Sequence, residues 1–347
     1  MAGLNEALWA KAAGARLLRT ARVRADTTVT GANVAYPTDT GLLAKAVGKL
    51  VRAARRVQAA GGATGTKMTD RRRAAARRMR QIASTLHTRG KLSREEATQA
   101  IRRVTGELVG LAEKSAAQAA AVVRNGRRAV PRALSGRVRG RLVRALAELA
   151  TTIDRTATIV AQARTRLAGQ VPDGATRVVS LHDPDARPIR KGRIDRPVEF
   201  GYKAQVTDND DGIILDYSVE LGAAADGPQL APAVERIRAR AGRVPRAVTA
   251  DRGYGQPAVE RDLHALGVDT VAIPRQSATS AARKTIEHSR GFRKLVKWRT
   301  GCEGRISYLK RGYGWDRTCL DGQQGAAIWC GHGVFAHNLI KIAALAS

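Results

Sequence analysis

Cysteine, aromatic side chains and acidic charge are all scarce in this sequence. Three cysteines in 347 residues exclude a disulfide scaffold and point to a reducing, cytoplasmic setting. Aromatic residues make up 4% of the chain, and only Trp9 and Tyr36 precede Phe200. A core in the first half must therefore consist of Leu, Val, Ile and Ala. No apolar run reaches the ~18 residues of a membrane span. The N-terminus lacks the apolar stretch and small-residue cleavage site of a secretory signal. Acids number 30 against 61 Lys and Arg, a net charge of +31. At 44% hydrophobic residues the chain is not simply a disordered basic tail. An excess of bases this large points to a polyanionic partner, nucleic acid first among them.

The charge is concentrated. Residues 45–166 hold 29 Lys and Arg against 7 Asp and Glu, or +22. Apolar residues recur there at helical spacing, as in Leu50, Val51, Ala54, Val57 and in Ile101, Val104, Leu108, Leu111. Breaks are expected at Gly61–Gly65, Arg89–Gly90, Asn125–Gly126 and Pro131, and Ser93 with Glu96 fits a capping box. The pattern predicts an antiparallel bundle of about four helices. The dense arginines Arg71, Arg72, Arg73, Arg77, Arg78 and Arg80 predict a surface that tracks phosphates.

Outside the bundle the pattern changes. Residues 1–26 open as an amphipathic helix. β-Branched runs at Val23–Val29, Arg177–Leu181, Phe200–Thr207, Ile213–Leu221, Ala247–Ala250 and Thr270–Ile273 predict strands. Helical patterns lie at Pro228–Ala241, Pro257–Leu266 and Ala281–Arg311, and the Asp-Asp-Gly at 210–212 predicts a hairpin turn. The expected class is α/β, a mixed sheet flanked by helices and interrupted by an inserted basic helical bundle. The expected parts are a helix at 1–20, a first strand at 21–40, the bundle at 41–172 and the remainder at 173–347.

A few acids stand out against this basic background. Asp251 ends the apolar run Ala247–Ala250 and precedes Arg252-Gly253-Tyr254-Gly255, which predicts a carboxylate at the C-terminal edge of a sheet, where chemistry commonly sits. Asp26 lies in the alternating run Val23–Val29. Arg299, Glu303 and Lys310 are four and seven residues apart, so they share one helix face. Trp298, Cys302, Ile306 and Leu309 form an apolar stripe beside them. Asp183, after the run at 177–181, is the alternative first acid. Asp226 before Gly227-Pro228 fits a helix N-cap. The late cysteines and histidines lack the paired spacing of a zinc knuckle. Tyr313 and Trp315 beside Lys310 and Arg311 suit base stacking or core packing equally.

In combination these residues resemble a DDE transposase of bacterial insertion sequences, the group with a Tyr-x2-Arg-x3-Glu-x6-Lys helix signature. Arg299, Glu303 and Lys310 match three of its positions, and Val296 stands where the family has Tyr. Ala250–Tyr254 is similar to the second-aspartate motif and Arg24–Val29 to the first-aspartate strand. The stretches PVEFGYKAQV and WRTGCEGRISYLKRGYGWDR resemble the ISNCY set. The resemblance implies an RNase H-like fold in which Asp26, Asp251 and Glu303 hold two Mg²⁺ ions, with Mn²⁺ as a substitute. It implies that Arg299 and Lys310, with Arg252, contact DNA. Double-stranded DNA, both transposon ends and target, is then the partner, and a homodimer in the synaptic complex and a nucleoid-associated location follow. Family members carry a longer helical region before the first aspartate, so a truncated reading frame with weakened end recognition is expected here. The alternatives are a catalytically inactive remnant and a non-enzymatic basic DNA-binding protein.

Overall fold

The computed structural model describes residues 1–87, 93–132, 135–191, 197–277 and 279–346. The chain forms two compact units, Met1–Asn33 with Asp185–Ser347, and Val34–Pro184. The expected break at Arg89–Gly90 lies outside the described residues.

The first unit is mixed α/β. Its sheet is centred on β1 (Arg22–Gly31), which pairs antiparallel with β3 (Val198–Asp208) and parallel with β5 (Ala247–Ala250). β2 (Arg187–Arg190) and β4 (Ile214–Leu221) pair antiparallel with β3, and β6 (Thr270–Ala272) runs parallel to β5. The turn between β3 and β4 forms where expected. Gly212 takes φ 72°, and the Asn209 side chain accepts from the Asp211 and Ile213 amides. α1 (Ala2–Gly14) is shorter than expected and belongs to the core. Trp9 is 2% exposed and donates to the Ile214 carbonyl, and Asn5 donates to that of Gly331.

α6 (Gly227–Ala241) and α7 (Pro257–Ala265) fall where the periodicity predicts. The long helix predicted at Ala281–Arg311 is instead two, α8 (Ala281–His288) and α9 (Arg290–Gly312), because Ser289 breaks the run and its hydroxyl caps α9 at the Phe292 amide. α10 (Gly322–Ala346) follows and buries Cys330, Val334 and His337.

The second unit packs α2 (Asp39–Ala59), α3 (Arg72–His87), α4 (Arg94–Ala129) and α5 (Gly136–Leu167) around Leu, Val, Ile and Ala. The Ser93–Glu96 capping box is present. Two expectations fail here. α4 runs straight through Asn125–Gly126. Gly126 is there for packing, since a Cβ on it would stand 2.8 Å from Leu146 Cδ2. Arg177–Leu181 is not a strand. The Gln162 side chain binds both the amide and the carbonyl of Val178, and Val178 and Leu181 join the helical core.

Candidate active site

The parallel pairing of β1 with β5 sets Ala25 opposite Ala250. One residue further, Asp26, still inside β1, therefore lies beside Asp251, the first residue past β5. Asp26 Oδ1 accepts from the Thr27 amide at 2.8 Å, and Asp251 Oδ1 accepts from the Gly253 amide at 2.7 Å. The second bond caps the short turn Arg252–Tyr254. Arg252 itself is exposed.

Both carboxyls are raised. Burial, and next the charge of Asp251, push Asp26 up from 3.8 to about 6, while the Thr27 amide and Arg299 pull it down. Burial also raises Asp251, with the Gly253 amide opposing and the charge of Asp226 adding to the rise. Desolvation and like charge both penalise the ionised forms.

α9 lies against β1, β3 and β5. Arg299 Nη1 donates to Asp26 Oδ2 at 3.1 Å, and Nη2 donates to Glu303 Oε1 at 2.7 Å. The arginine thus joins an acid of the sheet to an acid of the helix. Glu303 is 61% exposed at its side chain. A cleft of about 640 Å³ is lined by Asp26, Glu303 and Lys310, together with Lys191, Glu199 and Arg311. Carboxylates and cations thus share one wall.

Sequence reasoning missed the device that seats α9. Arg24 sits inside β1, 7% exposed, and donates to both Asp208 oxygens at 2.6 and 3.0 Å and to the Trp298 carbonyl at 2.7 Å. Its guanidinium also stacks on the Trp298 ring at 4.7 Å. Gly301 allows the approach, since a Cβ there would stand 2.2 Å from Arg24 Nη1. A cation inside a strand-like run was the available signal.

Asp226 takes the expected N-cap position of α6, with Pro228 in the first turn, but its side chain makes no capping bond. Instead it pairs with Lys203 at 2.7 Å. A Cβ on Gly253 would lie 2.8 Å from Asp251 Oδ1 and 3.0 Å from Asp226 Oδ2, so both acids crowd one glycine.

Asp183 is 1% exposed and belongs to the helical unit. Of the arginines at 71–80, Arg71 donates to Gln118, Arg72 pairs with Asp70 and Arg78 with Glu107. Arg73 and Arg77 are exposed. Trp315 is fully buried and donates to the Cys330 carbonyl, which removes it as a stacking platform. Cys302 and Cys330 are buried and Cys319 is exposed. Among the described residues, no three His, Cys, Asp or Glu side chains are grouped to hold a metal ion.

Comparison with known proteins adds the deciding observation, a match of residues 177–339 to the family model described as Transposase DDE domain. Residues 177–339, a little under half of the chain, are thus similar to a transposase DDE domain. No curated protein and no solved structure matches the chain. The DDE domain implies DNA transposition, that is, phosphoryl transfer on DNA. It also implies binding to DNA and use of a divalent metal. It includes Asp251, Arg299, Glu303 and Lys310. Asp26 lies before it, and joins these residues through β1. Among the described residues, no helix is long and apolar enough to cross a membrane.

Proposed function

We propose that this chain cuts DNA strands at the ends of an insertion sequence of the ISNCY type and joins them to a target, with Asp26, Asp251 and Glu303 as its acids. The observation that carries the assignment is the adjacency of Asp26, in the middle of β1, and Asp251, just past the end of the parallel strand β5, both with raised carboxyls. A buried carboxylate and a half-buried one, both raised despite the nearby Arg299, fit a divalent cation, and hard oxygen donors are what Mg²⁺ takes. Asp26 and Asp251 would hold Mg²⁺ or Mn²⁺, and Glu303, exposed and paired with Arg299 in this structure, would have to leave that pair to join them. Two such ions, when bound, supply charge neutralisation at the attacking and leaving oxygens of an in-line displacement.

The remaining tasks belong to the chain. The attacker is water in cleavage and a DNA 3′-hydroxyl in joining, so no protein nucleophile is needed. Lys310 lines the cleft beside Asp26 and Glu303 and would bind phosphate there. Arg299 holds Glu303 and Asp26 at fixed separation, and would offer its guanidinium to a phosphate entering the cleft. The two ends of an element must be held together, which calls for a homodimer on double-stranded DNA.

The test is a nicked-duplex cleavage assay with Mg²⁺ or Mn²⁺. Wild-type protein is expected to cut, Glu303→Gln to bind DNA without cutting, and Asp26→Ala to lose cutting while Asp183→Ala retains it. Wild-type binding without cleavage would identify an inactive remnant. Cleavage retained by Asp26→Ala and lost by Asp183→Ala would transfer the first acid to Asp183.

A further inference from the structure

The helical unit holds a second cleft, of about 420 Å³, with a different lining. One wall is the exposed face of α2. Lys45, Lys49, Arg52 and Arg56 follow at intervals of four, three and four residues, so one face carries all four, and all four line the cleft. The other wall is the segment around Leu181, whose carbonyl accepts from Lys49 at 2.8 Å and from Arg155 at 3.2 Å. Five cations thus approach one groove, and Glu148, paired with Arg56 at 2.5 Å, is the acid that lines it.

A solvated helix face ordinarily interleaves its charges, as Arg78 with Glu107 on α3 and α4, or Arg164 with Glu113 on α4 and α5. The α2 face does not. Lys45 and Arg52 are exposed and enter no ion pair among the described residues. Like charges at these spacings oppose the helix by a few tenths of a kcal/mol per pair, on the order of the gain from opposite ones. An anion laid along the groove reverses that sign. From Lys45 to Arg56 the helix rises about 16 Å, a length over which one strand of duplex DNA presents about five phosphates. The arginines singled out from sequence, at 71–80, are a poorer fit, because three of the six already have partners within the unit.

We propose that the α2 groove binds the phosphodiester backbone of duplex DNA, through Lys45, Lys49, Arg52 and Arg56. The choice of DNA among polyanions rests on the transposase reading of the other unit; the affinity for phosphate rests on the groove alone. Contacts of this kind carry no base information, so they act equally on every sequence.

The experiment measures binding of the full chain to a random-sequence duplex against salt. Each lost phosphate contact lowers the slope of log affinity against log salt by about 0.9. Lys45→Gln with Arg52→Gln is expected to lower it by about 1.8 and to weaken binding about tenfold or more, with helix content unchanged by circular dichroism. Arg73→Gln with Arg77→Gln on α3 is expected to change it less. A second readout needs no variant. Amine acetylation of Lys45 and Lys49 in wild-type protein, followed by mass spectrometry, is expected to be blocked by the duplex and not by inorganic phosphate at equal phosphate concentration. Equal protection by inorganic phosphate would assign the groove to a free phosphate group and overturn the proposal. An unchanged slope together with unprotected lysines would overturn it as well. Both readouts are independent of strand cleavage, so failure of the catalytic assignment would show separately.

Discussion

Asp26 is the residue on which the site turns, and its environment has a thermodynamic consequence. Its folded pKa of about 6 lies above the ordinary 3.8. Between those values the folded chain holds a proton that the unfolded chain gives up, so stability falls as pH rises through that window. Above it, the ionised carboxylate destabilises the fold by on the order of 3 kcal/mol, from a shift of about two units. Asp26→Asn removes this penalty. We expect the variant to melt several degrees above wild type at about pH 8 in the absence of divalent metal, and the gap to close near pH 4. Equal melting temperatures at the higher pH would show that Asp26 is not held under this strain. The stabilised variant should nonetheless be inactive, an instance of stability yielding to function.

At the scale of elements, the seat of α9 on β1 decides whether Glu303 can serve Asp26. Arg24 is pinned by Asp208 and by the Trp298 carbonyl, so it cannot move aside for a side chain at 301. Gly301→Ala gains about 1 kcal/mol of helix propensity but forces an overpacked contact, at a cost of about 1–3 kcal/mol. We expect a modest loss of thermal stability and a fall in cleavage of tenfold or more, as α9 lifts Arg299 and Glu303 from the sheet. Wild-type cleavage rates in this variant would show that the seat is slack. The elements were unevenly legible. Alternation exposed β1, β3 and β4, and the capping box at Ser93 was readable because its donors and acceptors are local. Arg177–Leu181 misled because β-branched residues suit any half-buried surface, and there the neighbours were helices.

For the whole molecule, charge is the controlling quantity. With a net +31, we expect DNA affinity to fall by a factor of about 10³ or more between about 50 and 200 mM salt if six or more phosphates are neutralised. Binding titrations across that range check it; a flat response would mean that apolar or base contacts dominate. The charge is also divided by role. In the sheet unit, Arg24, Arg236, Arg240 and Arg283 are bound to acids within the unit, and they hold the fold. On α2 the cations line a groove with a single carboxylate.

The amino-acid sequence by itself determined the class of fold and the basic helices placed between the first strand and the others, because periodicity is a local property of the chain. It could not determine which acid meets which. Asp26 and Asp251 are 225 residues apart in the chain, and only parallel pairing of their strands makes them neighbours. The same holds for Asp226, which local chemistry marks as a cap and tertiary packing turns into a partner of Lys203 beside Asp251. Tertiary structure likewise decided much of which arginines are already paired, since partners such as Glu107 for Arg78 and Asp208 for Arg24 come from elements packed against them.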